Sequence, residues 1–79
     1  MFQITLGTAR ELSGCTVEGV SLRCNITVDT YRLIEFDPSG AQLSMILKIT
    51  TVLGVPISLI YPGTEENCIQ HNKERLTTV

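Results

Sequence analysis

Apolar residues along this chain recur mostly at intervals of three and four, and the residues that break the pattern fall at helix lengths. From Leu6 to Leu12 the spacing of Leu6, Ala9, Arg10 and Leu12 predicts a first helix, with Thr5 as its N-cap and Ser13-Gly14 as its stop. Thr16 caps a second helix, Val17 to Cys24, in which Val17, Val20 and Cys24 share a face. Gly19 weakens that helix by about 1 kcal/mol relative to alanine, so packing has to hold it. Asn25 tolerates the left-handed backbone and suits a tight turn. Thr27 caps a third helix, VDTYRLIEF, with Asp29 in the first turn, where negative charge is favoured. Ile26, Tyr31 and Ile34 are expected to face inward, and Val28, Asp29, Arg32 and Leu33 outward.

Asp37-Pro38-Ser39-Gly40 is a strong break. The segment QLSMILKITTVL then carries the clearest amphipathic pattern, with Leu43, Ile46, Leu47, Thr50 and Leu53 on one stripe and Gly54 as its stop. Pro56 can open a short last helix, PISLIY, that buries Ile57 and Ile60 and ends at Pro62-Gly63. From Thr64 onward the chain is polar, and only Cys68, Ile69 and Leu76 offer anchors. β-branched residues are common, but strict alternation is rarer than helical spacing. The expectation is an all-α fold of five short helices over residues 1–61, followed by a polar, partly ordered C-terminal tail over 62–79.

A length of 79 residues suits one domain, and a hydrophobic content of 43% supports a packed core without disulfides. Cys15, Cys24 and Cys68 are odd in number and irregularly spaced, which points to reduced thiols and a cytoplasmic setting. No run approaches the roughly 20 apolar residues that span a bilayer, and the start MFQITLGTAR lacks the basic and apolar regions of a secretory signal.

The formal net charge of -2 runs against a nucleic-acid partner, because neutralising phosphates usually takes a basic excess. Arg10, Arg23, Arg32 and Lys48 stand in the domain against Glu11, Glu18, Asp29, Glu35 and Asp37. Catalysis has no visible apparatus either. The one histidine, His71, lies in the polar tail, and no paired carboxylates or Gly-rich phosphate loop appear. Cys68 and His71 form a C-x-x-H pair, two of the four ligands that a structural zinc needs. No enzyme, metal or cofactor is expected.

The stretch from Ala9 to Tyr61 reads ARELSG, TVEGV, a turn, ITVDTYRLIE and LKITTVLGVPISLIY. It resembles the Cro/Xre family of helix-turn-helix proteins, which includes the lambdoid phage repressors. The resemblance covers about two thirds of the chain, and its most specific parts are the third helix ending in Glu35 and the LGVP stop. The opening ITLGTAREL is similar to that of bacterial prophage and mobile-element regulators.

The resemblance implies a phage-repressor-like domain that sets its third helix into the major groove of double-stranded DNA and regulates transcription as a homodimer. The DNA-binding residues it implies are Thr16, Arg23, Thr27, Val28, Asp29, Arg32, Leu33 and Gln42, with Arg23 and Gln42 at phosphates. Arg10 and Glu35 occupy positions that form an internal ion pair in some relatives. Ile57, Ile60 and Tyr61 fall at the implied dimer surface.

Several positions depart from the family's usual text. Val17 stands where many relatives have a phosphate-contacting glutamine, Ser21 replaces a small alanine, and Asn25 replaces the turn glycine. On the reading face, Val28 and Leu33 can touch thymine methyls, Asp29 can accept from cytosine N4, and only Arg32 offers a bidentate grip. An outer face this apolar and acidic also suits a second reading, in which the same fold serves as a protein-interaction module.

Overall fold

The computed structural model describes residues 2–77, with side chains described as far as 74. Among the described residues five α-helices follow one another: α1 (Leu6–Leu12), α2 (Val17–Arg23), α3 (Val28–Phe36), α4 (Leu43–Leu53) and α5 (Glu65–Thr77). Among the described residues there is no strand, only an isolated parallel β-bridge between Ile4 and Ile60. The fold is all-α, as the periodicity predicts.

One device starts the first three helices. Thr5, Thr16 and Thr27 each sit in extended backbone and accept a hydrogen bond from the amide three residues on, at Thr8, Gly19 and Thr30. Such caps contribute about 1 kcal/mol each, which matters for helices of seven to nine residues. The helix ends are equally local. Gly54 closes α4 with φ +75°, and Asn25 takes φ +58° in the turn between α2 and α3. Helix α2 stops at Arg23 with Cys24 as its C-cap, one residue earlier than expected.

Leu6 and Ala9 of α1, Val20 of α2, Tyr31 of α3 and Ile49 of α4 form the centre of the core, joined by Cys24 and Ile60. Tyr31 is fully buried and docks α3 on the domain, and Ile26 and Ile34 pack partly buried beside it, as anticipated.

Three expectations are corrected. The buried stripe of α4 is Ile46, Ile49, Thr50 and Leu53, whereas Leu43 and Leu47 are exposed. Since α4 is apolar over most of its circumference, spacing alone could not select the face. The PISLIY segment is not an α-helix but a 3-10 turn over Ile57–Leu59; it buries Ile60, whose neighbours pair with Ile4, and leaves Ile57 half-buried. The fifth helix lies instead in the polar segment from Glu65, capped by Thr64, whose hydroxyl oxygen accepts from the Asn67 amide at 3.3 Å. Of the proposed anchors there, Cys68 is buried, Ile69 is exposed, and the side chain of Leu76 lies outside the described residues.

Polar contacts hold α5 in place. The Asn72 side chain pairs with both backbone groups of Gln3, accepting from its N–H at 3.2 Å and donating to its carbonyl at 2.9 Å. The Cys68 thiol donates to the same carbonyl at 3.3 Å. At the start of the helix, the Thr5 hydroxyl donates to Glu65 Oε2 at 2.6 Å.

Candidate functional site

Helix α3 is presented by its own sequence. The Thr27 hydroxyl accepts from the Thr30 amide and donates to the Thr30 hydroxyl at 2.8 Å, which fixes the first turn. Tyr31 holds the inner face. The outer face carries Asp29, Arg32 and Leu33, all exposed, at the i, i+3 and i+4 positions that share one side of a helix. Val28 is half-buried at its edge. Nine residues make a rod about 13 Å long.

The far end of α3 is braced against α1. Arg10 donates from Nε to Glu35 Oε2 at 2.9 Å and from Nη2 to Oε1 at 3.0 Å, and from Nη1 to the Cys15 carbonyl at 3.1 Å. The two side chains are only 16% and 18% exposed. Hydrogen bonding to Glu35 holds the Arg10 guanidinium above its ordinary pKa, against the opposing effect of burial. Tyr31 lies beside this pair. Burial first, and the Glu35 carboxylate second, push its phenol up, and its hydroxyl finds no partner in hydrogen-bonding geometry.

The remaining candidates are spread over other elements. Thr16 is exposed at the start of α2, with its hydroxyl oxygen engaged by the Gly19 amide at 3.0 Å, and Arg23 is exposed in the last turn of that helix. Gln42 is exposed at the N-cap position of α4 and makes no side-chain cap bond. Ser21 is buried and satisfies its hydroxyl on the Val17 carbonyl at 2.7 Å. Of the residues proposed for a dimer surface, Ile60 is buried and the Tyr61 ring packs against His71 of α5, with centroids 5.2 Å apart. Ile57 lines a shallow groove together with exposed Leu43.

Two features escape the sequence reading. Phe36, 73% exposed, extends the outer face of α3 by one more turn beyond Leu33, at 74%. The i+7 spacing from Asp29 was the available signal. The second is an open cleft shared by α1, α3 and the start of α5, where Arg32 and Phe36 stand with Glu11, Glu35, Glu65 and Glu66. The most useful cation of α3 therefore borders an acidic surface. Arg10 is committed to Glu35, so Arg23, Arg32 and Lys48 are the exposed cations within residues 2–61.

No protein-family model, curated protein or solved structure matches this chain. Among the described residues, no helix is long and apolar enough to cross a membrane. The Cys68 thiol donates to the Gln3 carbonyl, and the His71 imidazole packs on the Tyr61 ring.

Proposed function

We propose that this protein is a DNA-binding transcriptional regulator of the Cro/Xre helix-turn-helix type, bacterial and associated with a prophage or mobile element, acting in the cytoplasm as a homodimer. The observation that carries the reading is α3 itself: a short helix joined to α2 through the left-handed Asn25, anchored by Tyr31, braced by Arg10 and Glu35, with Asp29, Arg32 and Leu33 free on its outer side. A major groove about 12 Å wide admits such a helix. Arg32 supplies the bidentate grip, Leu33 and Val28 the contact to thymine methyls, and Asp29 an acceptor for cytosine N4. Arg23, Thr16, Thr27 and Gln42 are positioned at helix ends, where they would meet the backbone. A single small module reads few bases, so two copies on paired half-sites would supply specificity.

A second reading keeps the fold and replaces the partner with a protein. Two observations favour it: the pair of exposed large apolar residues, Leu33 and Phe36, and the carboxylates beside Arg32.

Selection from a pool of random duplex DNA at two salt concentrations tests the choice. The first reading predicts one recurring half-site, repeated as a near-palindrome, with affinity falling as salt rises. A folded protein that enriches no sequence at low salt favours the second.

A further inference from the structure

The cleft beside α3 brings together parts of the chain that are far apart in sequence. Arg32 and Phe36 come from the outer face of α3, Glu11 from α1, and Glu65 and Glu66 from the first turn of α5. Glu65 is fixed in place, since its Oε2 accepts from Thr5, the N-cap residue of α1. Among the described residues no ion pair joins these carboxylates to Arg32, so their charges line the cleft without neutralising it. Within about a Debye length, roughly 8 Å at physiological salt, such carboxylates offset the pull of Arg32 on an approaching phosphate.

Helix α5 docks largely through polar contacts among its described residues. Among its described side chains only Cys68 is buried, and the contacts that hold the helix include the Asn72 amide on Gln3, the Cys68 thiol on the same carbonyl, the Thr5–Glu65 bond and the packing of His71 on Tyr61. Water can replace polar bonds of this kind at little net expense, whereas a buried apolar face would lock the helix down.

From these observations we infer that α5 is an acidic clasp that weakens DNA binding by setting Glu65 and Glu66 beside Arg32, and that undocking α5 strengthens it. The inference rests on the DNA-binding reading of α3 and adds its regulation. In the closed state the protein samples DNA weakly, and a partner or ligand that takes α5 away from Gln3 would raise affinity without touching α3.

The test uses the full chain and a mixed-sequence 20-base-pair duplex, followed by fluorescence anisotropy at about 50 and about 200 mM salt. Glu65→Gln/Glu66→Gln is expected to bind roughly three- to tenfold more tightly than the wild type at the lower salt, with the gain shrinking at the higher. Asn72→Ala, which removes both bonds to Gln3, is expected to give a gain of the same sign together with faster exchange of the Gln3 amide. In an Arg32→Ala background the glutamine pair should give little or no gain. Wild-type binding that neither variant improves overturns the clasp and leaves the DNA reading standing. An equal gain without Arg32 also overturns it, because the charges would then be acting elsewhere. If no form of the protein binds duplex at the lower salt, both the clasp and the DNA reading fail. The glutamine pair is a surface change, so the test does not depend on Asn72→Ala remaining folded.

Discussion

Arg10 and Glu35 meet through two parallel hydrogen bonds, 2.9 and 3.0 Å, and so tie the end of α3 to α1. Both side chains are mostly withdrawn from water, so removing one leaves the other charge poorly solvated. Arg10→Met is expected to lower the unfolding free energy by about 3 kcal/mol, and the double change Arg10→Met/Glu35→Leu to recover most of that loss. Urea denaturation of the four-member cycle measures both. A single-variant loss below about 1 kcal/mol would show that the pair behaves as a surface bridge. Gly7 belongs to the same arrangement, because a Cβ there would lie 2.9 Å from Glu35 Oε1.

The turn between α2 and α3 depends on one backbone conformation. Asn25 stands at φ +58°, which is unfavourable for a β-branched side chain. Asn25→Gly should leave stability within a few tenths of a kcal/mol, while Asn25→Val should lose about 1–2 kcal/mol. Thermal unfolding of the two variants side by side decides it; equal melting temperatures would contradict the strain argument.

Tyr31 fills the core with its ring and leaves its hydroxyl unpaired. Tyr31→Phe removes a buried polar atom while keeping nearly all of the packing, so stability should be unchanged or slightly higher. A loss above about 1 kcal/mol in urea would mean that the hydroxyl is bonded, with Glu35 the nearest candidate.

Alkaline pH should destabilise the protein. Burial raises the thiols of Cys24 and Cys68 above their ordinary value of 9.0, with Glu65 adding to the effect on Cys68 and Lys48 opposing it on Cys24. Tyr31 is raised above its ordinary 10.0 by burial and then by Glu35. Each of these groups keeps its proton more firmly when folded. Its contribution is therefore complete below the unfolded value and is lost as pH rises through the folded one. Stability should decline from about pH 9 upward. Cys24→Ala should make that decline shallower. A decline of the same steepness in this variant would acquit Cys24.

Much of the fold was legible because its signals are local. Thr5, Thr16 and Thr27 announce their helices from the preceding residue, Asn25 and Gly54 mark their ends, and Tyr31 and Ile34 keep the inward spacing of α3. What was missed depends on distant partners. The inward face of α4 is chosen by what packs against Ile49, and a helix apolar nearly all round carries no periodic hint of that choice. Helix α5 carries no apolar stripe in its sequence, and hydrogen bonds between Asn72, Cys68 and Glu65 and residues 3 and 5, sixty or more positions away, help to hold it. The share of Arg32's acidic surroundings that Glu65 and Glu66 supply follows from that docking and could not be seen before it.

The central claim is that the outer face of α3 reads DNA, and Arg32 tests it most directly. The measurement is a titration of wild type and Arg32→Ala against the duplex recovered by selection, at about 50 and about 200 mM salt. The account predicts that the wild type binds with an affinity that falls as salt rises, and that Arg32→Ala loses specific binding by tenfold or more while staying folded. Equal binding by the two proteins, or no salt-dependent binding by either, would contradict it and direct attention to a protein partner on the Leu33 and Phe36 surface.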